Sequence, residues 1–524
     1  MGLREVRPGR RISFPPAITG AVAWGLSLFA SGAIAALLPL DFEDELVASG
    51  FSLPTSMAFL PDGRVLVTEQ RTGAVRLVLP QSGANVIVHT FLDVNVFGME
   101  RGLVGVAIDP RWPEVPYAYF YYTRTGDICT LCRLTASGDL SSPNSTSLAF
   151  GSYYDVLGSI PDSDPIHQSG TLRFGPDAML YVSIGDDNVA CAAQDSTTIQ
   201  GSILRLMLGL LPPGGGGPPP RSLLDPGDNP YSGNGDDLSL VHAFGFRNPF
   251  RFSIDRETGY LYVADVGSAL FEELTEVQGG ENCGWPFREG SLVQIPAGCA
   301  EPGGTNTQTY HAPLTGYVHD PVEPNAIMAG PVYRREGGPY EFPPYYDGIV
   351  FFADYYQGVL RGMKLVDGVW RPVTHAPNQP SELDWGAELW NISDYAQGPD
   401  GAIYYISQFP AEVRRIVYTG QGTLSAPEPD TGPALRFSAN PFRAGAGTLE
   451  IGFRAEAAGP VRLDVLDVQG RLVRGLLDGD FPEGAFSVRW DGRDERGTTL
   501  KPGVYFVRLE SVSGASSRRA VMLP

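Results

Sequence analysis

Met57-Ala-Phe-Leu-Pro-Asp-Gly-Arg-Val-Leu-Val-Thr-Glu69 reads as an apolar strand, a Pro-Asp-Gly turn and a second, Val-rich strand. Proline presets one turn dihedral and glycine supplies the left-handed one, so the stretch is a hairpin by its own chemistry. The phrase returns as Leu103-Val-Gly-Val-Ala-Ile-Asp-Pro110 with Ala118-Tyr-Phe-Tyr-Tyr122, and as Leu172-Arg-Phe-Gly-Pro-Asp177 with Leu180-Tyr-Val-Ser183. Phe252-Ser-Ile-Asp255 with Tyr260-Leu-Tyr-Val-Ala264 is a fourth copy, and Gly330-Pro-Val-Tyr333 with Ile349-Val-Phe-Phe-Ala353 a weaker fifth. Ala396-Gln-Gly-Pro-Asp-Gly401 with Ile403-Tyr-Tyr-Ile406 is the sixth, at a mean step of about 68 residues. A hairpin cannot bury its faces alone, so six ordered copies predict an all-β fold, a six-bladed β-propeller. The competing reading is an irregular sandwich with coincident turns.

Composition agrees. The 524 residues include 64 Gly and 45 Pro, about a fifth of the chain, with 23 Tyr and 26 Phe. Such a chain does not make a helical bundle, and at 43% hydrophobic it is not disordered. A formal charge of −21 excludes broad binding to nucleic acid or to anionic membrane surfaces, which need basic patches.

The N-terminus reads as an export signal, residues 1–35. Arg4, Arg7, Arg10 and Arg11 precede an apolar run from Ala17 to Leu38, and Ala33-Ile34-Ala35 supplies the small residues of a cleavage site. An uncleaved anchor is the alternative, since the run is long enough to span a bilayer. With cleavage the protein is periplasmic, secreted or at the cell surface, without membrane attachment. Export makes the five cysteines disulfide candidates. Cys283 and Cys299 flank a short loop and are the expected pair. Cys129 and Cys132 have metal spacing without a second ligand pair, so a bridge from one of them to Cys191 is expected, leaving one thiol.

The propeller is expected over 41–420. Residues 421–433 read as a linker, and 434–524 as a small immunoglobulin-like β-sandwich. Its strand signals are Leu449/Ile451/Phe453, Val461/Leu463/Val465, Phe486/Val488/Trp490 and Val504 through Leu509. Proteolysis in the linker is expected to release two folded pieces. Pro212-Pro-Gly-Gly-Gly-Gly-Pro-Pro-Pro220 reads as a surface insertion between blades.

The chemistry concentrates at His167-Gln-Ser-Gly170 and Ile184-Gly-Asp-Asp-Asn188. A histidine just before a blade strand lies on a loop near the channel mouth, where it can accept a substrate proton. A lone histidine is more often structural, so its neighbours decide.

Those neighbours resemble the glucose/sorbosone dehydrogenase family, which includes soluble quinoprotein glucose dehydrogenases and hedgehog-interacting-protein-like propellers. The resemblance covers about residues 45–420. It rests on Glu100-Arg-Gly-Leu-Val-Gly105, His167-Gln-Ser-Gly170, Gly201-Ser-Ile-Leu-Arg205, Gly245-Phe-Arg-Asn-Pro249, Asp265-Val-Gly267 and Asn282-Cys-Gly-Trp-Pro286. It implies a sugar substrate, an electron acceptor and a pyrroloquinoline quinone (PQQ) site with Ca2+. By the resemblance, His167 is the base that takes the sugar hydroxyl proton, Arg247 stabilises charge on the quinone oxygen, and Asn248 contacts the cofactor. The carbonyls of Gly267 and Ser268 match the calcium donors, with Asp265, Glu272 and Glu273 nearby. The chain also departs from the pattern. Ile166 replaces an aspartate before the histidine, Tyr356 falls where the cofactor-clasping lysine stands, and two arginine positions fall near Asn391 and Ser393. Arg334, Arg335 and Arg361 are the candidate substitutes. A non-catalytic propeller that binds a glycan or protein is therefore the alternative function.

The tail resembles flagellar hook-capping-type immunoglobulin-like modules and type IX secretion sorting domains. The carrying phrases are Asn440-Pro-Phe442, Leu463-Asp-Val-Leu-Asp-Val-Gln-Gly-Arg471, Trp490-Asp-Gly-Arg-Asp494 and Gly503-Val-Tyr-Phe506. This implies either contact with secretion machinery or a passive stalk.

Overall fold

A computed structural model describes residues 36–524, apart from 234–235, 291, 295–297, 302–309, 320–323, 374–375, 421–434, 444–447 and 524. The proposed signal and linker lie outside the described residues. The described chain contains strands and short 3-10 turns, and no α-helix. No helix in it is long and apolar enough to cross a membrane.

Each sequence repeat forms the first two strands of an antiparallel four-stranded sheet. Sheet one runs from Pro54–Phe59 to Ala84–Thr90, sheet two from Leu103–Ile108 to Leu148–Pro161, and sheet three from Leu172–Phe174 to Val241–Phe244. Sheet four runs from Arg251–Ile254 to Thr315–Val318, and sheet five from Ile327–Val332 to Val369–Pro372. Sheet six takes three strands from 392–418, and its fourth is the N-terminal strand Phe42–Ser49, registered Phe42 against Tyr418. The chain end thus closes the structure, a pairing the repeats did not announce.

First strands of consecutive sheets touch, and the sixth touches the first, so the sheets form a closed ring. The second strands are buried on both faces because each sheet is sandwiched between neighbours. Val65–Glu69, Leu180–Ile184 and Ile403–Ser407 have no exposed residue. One apolar core fills each of the six gaps; Tyr121, Leu131 and Val182 lie between sheets two and three, for example. The axis is plugged. Arg251, fully buried, donates to the carbonyls of Thr55 (2.7 Å) and Ser393 (2.8 Å) and to Thr171 Oγ1 (2.9 Å). Burial pulls its guanidinium down to about 10, and Asp394 at 3.7 Å supplies the counter-charge.

Two sequence expectations change here. The Pro212–Pro220 stretch lies within sheet three, between its third and fourth strands, and not between sheets. It docks back on sheet two, where Arg133 Nη2 donates to the carbonyls of Pro212 (2.6 Å) and Gly214 (3.0 Å).

The C-terminal region is also not a loosely tethered piece. One of its sheets has five strands, including Gly459–Leu466, Gly503–Ser511 and Gly514–Leu523. The other, made of Leu435–Phe437, Leu449–Ala455 and Gly484–Trp490, continues sheet four into seven strands. Thr315–Val318 pairs in parallel with Gly484–Trp490, Gly316 opposite Phe486. Phe271 of sheet four is fully buried in the C-terminal core, with Phe453, Phe481 and Phe486 around it. Arg361 bridges Asp384 (2.8 Å) and Glu450 (2.6 Å), and Arg518 grips Glu382. A cut in the linker would therefore leave the two parts joined.

Candidate functional site

The ring brings the predicted residues together at one mouth. His167 precedes the first strand of sheet three with φ +65°, and Ser169 and Gly170 are also left-handed. That turn is affordable for a non-glycine residue only if held. The His167 N–H donates to Glu100 Oε2 (2.8 Å), and its ring Nδ1 lies 2.6 Å from Asp186 Oδ1. Gly185, beside Asp186, must be glycine: a Cβ there would sit 1.9 Å from the His167 carbonyl oxygen.

Asp186 is an acceptor on every side. Its Oδ1 also takes the Asn188 N–H (2.9 Å), and Oδ2 takes the indole N–H of Trp285 (2.8 Å). An ionised carboxylate only accepts, so Asp186 favours the tautomer of a neutral His167 ring that carries its proton on Nδ1 and leaves the lone pair on Nε2. His167 is buried at 5% exposure, and Nε2 has no hydrogen-bond partner among the described residues.

Arg247 and Asn248 join the same network. The Asp186 N–H donates to the Arg247 carbonyl (2.8 Å). Asp265, at the end of the second strand of sheet four, accepts the backbone N–H groups of Arg247 (2.9 Å) and Asn248 (2.7 Å). Burial pushes the Asp265 carboxyl up to about 7, against the pull of those two N–H groups. The Arg247 guanidinium donates to the carbonyls of Val266 (3.0 Å) and Gly267 (2.7 Å) and lies 5.7 Å from the Trp285 ring centre. Asn248 donates to Glu100 (3.2 Å) and accepts from Ser169 Oγ (2.8 Å). Tyr356 belongs to the same mouth. Burial and then the Glu100 charge push its phenol upward.

Sequence reasoning gave no role to Glu100, Asp186 or Trp285. All three lie in stretches already notable by their wording, but the contacts that define them are long-range.

The metal expectation meets a tightly used loop. A Cβ at Gly267 would sit 1.9 Å from the Phe271 carbonyl oxygen. The N–H groups of Ser268, Ala269, Leu270 and Phe271 all converge on Glu289 Oε1 at 2.7–3.2 Å. The Gly267 carbonyl already accepts from Arg247, so a calcium ion would share it. Glu272 and Glu273 do not form an exposed acidic turn. Glu272 binds His319 and the Ile327 N–H, and Glu273 binds the Gly290 N–H, both buried. Among the described residues no cluster of three His, Cys, Asp or Glu is placed to hold a metal.

The substitute cations are committed elsewhere. Arg334 pairs with Asp255 and Glu257, Arg335 with Glu341, and Arg361 with Asp384 and Glu450. Asn391 is held through its backbone to Tyr355 and Gln408, and Ser393 Oγ donates to the Pro54 carbonyl.

The disulfide expectation is overturned. Cys299 pairs with Cys191, Cα atoms 5.5 Å apart, and Cys283 is a buried thiol. Cys283 points into the core between sheets three and four, away from the loop it precedes. Cys129 and Cys132 are also free, because residues three apart on a strand face opposite ways. They enter the cores on either side of sheet two, and burial pushes the Cys129 thiol up to about 12. Three thiols remain, not one. The bridge ties the 3-10 turn Ala190–Gln194 to the segment after Trp285, where Gln194 Nε2 also donates to the Trp285 carbonyl (2.7 Å). It braces the Asp186–Trp285 contact.

A closed ring of sheets with a carboxylate-oriented histidine at its mouth defines a propeller of the sugar-dehydrogenase type. Residues 51–413 match the Glucose / Sorbosone dehydrogenase family, and the chain belongs to that family. Residues 439–515 match the FlgD Ig-like domain. The chain is 28% identical over 277 residues to quinoprotein glucose dehydrogenase B of Acinetobacter calcoaceticus, covering 47% of this chain and 52% of that one. It is 28% identical over 238 residues to the HIPL2 protein of Arabidopsis thaliana, covering 43% and 34% respectively. The chain thus spans between a third and about half the length of these curated relatives. The PQQ-bound aldose sugar dehydrogenase of Streptomyces coelicolor shares the fold, with TM-score 0.53 at 20% identity over 72% of this chain and 99% of that one.

Proposed function

We propose that the chain is an exported, quinone-dependent dehydrogenase that oxidises a hydroxyl of an aldose. In this reading the ring over 41–420 is a six-bladed propeller and 434–524 an immunoglobulin-like sandwich. The observation that carries the reading is the buried His167, tied to Asp186 through Nδ1 and, among the described residues, unpartnered at Nε2.

PQQ, held by Arg247, Asn248 and Tyr356 with Ca2+ at the carbonyls of Gly267 and Ser268, would supply the two-electron acceptor. The rest of the chemistry belongs to this chain. His167 Nε2 accepts the proton of the substrate hydroxyl, and Asp186 stabilises the imidazolium that results. Arg247, immobilised by two carbonyls, offers a fixed positive charge to oxygen that gains negative charge. Glu100 couples the His167 backbone to the Asn248 side chain, so base and cofactor contact share one support.

The reacting end of the site suits this chemistry better than the end that would face the cofactor's carboxylates. Tyr356, Asn391 and Ser393 bring no cation there, which favours a weak hold on a tricarboxylate. The same feature supports the second reading, a propeller that binds a glycan or protein without turnover. Adding PQQ and Ca2+ to the purified protein and assaying dye reduction across a panel of aldoses separates the two. Aldose-dependent reduction that requires the quinone supports the enzyme. Failure to bind the quinone at all would support the binding protein.

A further inference from the structure

Two large aromatic side chains stand exposed beside Tyr356 and take no part in the chemistry above. Trp390, 44% exposed, lies just before the first strand of sheet six, and Phe409, 59% exposed, lies in the turn between that sheet's second and third strands. Their neighbours place them at the mouth. The Asn391 N–H donates to the Tyr355 carbonyl (2.9 Å), and Tyr355 Oη donates to Gln408 Oε1 (2.7 Å). The Tyr355 and Tyr356 rings meet edge to face, 4.8 Å between centres. Ser407 Oγ reaches the carbonyls of both Trp390 (3.4 Å) and Phe409 (2.8 Å), so one hydroxyl ties the two aromatic loops together.

Trp390 is pinned from behind. Gly358, two residues after Tyr356, lies against its ring: a Cβ there would sit 2.7 Å from Cδ2, 2.9 Å from Cε2 and 3.0 Å from Cε3. Near-equal distances to three adjacent ring atoms mean that the backbone meets the face of the indole. The indole N–H donates to Glu388 Oε2 (2.7 Å), and Glu388 Oε1 has no hydrogen-bond partner among the described residues. Glu388 and Asn391, on either side of the indole, are both left-handed at φ +60° and +56°. Left-handed backbone is costly for residues other than glycine. The loop accepts that cost twice around a side chain that it leaves half in water, where burial would have been stabilising.

A fixed ring with an open side and a free carboxylate oxygen next to it suits a pyranose. The C–H face of the sugar packs on the ring, and its hydroxyls donate to the carboxylate. We propose that Trp390 forms a second saccharide subsite. When the sugar whose hydroxyl meets His167 is the end unit of an oligosaccharide, the next unit stacks on Trp390 beside Phe409, with Glu388 Oε1 accepting its hydroxyl protons. The preferred substrate is then a short oligosaccharide and not a free hexose. This rests on the mouth being a sugar site, as proposed above, whether or not the sugar is turned over.

Isothermal titration of the quinone-free full chain with maltotriose, cellotriose and glucose tests the subsite without turnover. One of the trisaccharides should bind at least tenfold more tightly than glucose. Trp390→Ala should reduce that preference by tenfold or more, and Trp390→Phe, which keeps a ring on Gly358, should retain most of it. With PQQ and Ca2+ added, the ratio of kcat/KM for that trisaccharide to kcat/KM for glucose should also fall at least tenfold in Trp390→Ala. Both readouts are ratios taken within one protein, so a partly misfolded sample does not shift them. Trisaccharide binding that depends on Trp390, with no dye reduction by any sugar, would refute the dehydrogenase reading and support the subsite. No preference for either trisaccharide in wild type, or a preference unchanged in Trp390→Ala, would overturn the proposal.

Discussion

Arg361→Met tests how firmly the C-terminal region is fixed to the ring. In the native chain this side chain, 7% exposed, reaches from sheet five to Asp384 and Glu450. Burial pushes the Glu450 carboxyl up, but Arg361 and Arg489 together hold it well below the usual range. Removing the guanidinium leaves Glu450 with Arg489 at 3.5 Å and the Ser487 hydroxyl at 2.6 Å, and Asp384 with the Ser381 hydroxyl. Breaking a buried pair from one side costs about 3–5 kcal/mol. That is roughly two to three and a half powers of ten in an association constant. Other contacts survive: the parallel strand pairing, Phe271 in the C-terminal core, and the half-exposed Arg518–Glu382 pair, which is worth little. The assay is a site-specific protease site inserted between residues 421 and 433, followed by size-exclusion chromatography of the nicked chain on dilution. Nicked wild type should elute as one species, and nicked Arg361→Met should separate at a concentration at least a hundredfold higher. Separation of the wild-type pieces at micromolar concentration, or a variant within tenfold of wild type, would refute the reasoning.

Asp186→Asn should lower turnover by about 10²–10⁴-fold, since the neutral amide no longer fixes the proton on His167 Nδ1. Cys299→Ser removes the brace behind Trp285 and should reduce turnover more than it reduces thermal stability, read by comparing dye reduction with the melting temperature. Tyr356→Lys should tighten quinone binding by tenfold or more without changing which sugars react, measured by fluorescence titration. Burial, and secondarily the Arg205 charge, lowers His242 to about 4 from 6.5. A lowered folded value means stability present above pH 6.5 and lost as pH falls toward 4, worth about 3 kcal/mol in all. His242→Phe, which keeps the edge contact with Tyr181, should flatten that part of the urea-midpoint profile.

Much of the ring was legible because its period is written in turns. A Pro-Asp-Gly turn folds the first strand back on the second in the first and sixth copies, related Pro, Asp and Gly turns do so in others, and all six copies occupy that place. The closing strand Phe42–Ser49 was not legible, since its partner Glu412–Tyr418 lies some 370 residues away. His167, Arg247 and Asn248 were readable from their surrounding phrases, and the structure joins them through Glu100, Asp186 and Asp265. Their supports were invisible because a carboxylate's role depends on which backbone N–H groups reach it. Cysteine pairing failed for a related reason. Spacing favoured Cys283 with Cys299, but whether a side chain faces core or surface decided the matter, and Cys283 faces the core. The strands of the C-terminal region were read from alternation, whereas its fusion to sheet four depends on Thr315–Val318, which gave no signal.

The central claim is that His167 is the base of a dehydrogenase. It is tested most directly by dye reduction in wild type and His167→Gln, both loaded with PQQ and Ca2+, with quinone binding followed in the same samples. The account predicts that turnover falls by about 10²–10⁴-fold while the quinone dissociation constant changes less than about threefold. Equal turnover in the two proteins would contradict it.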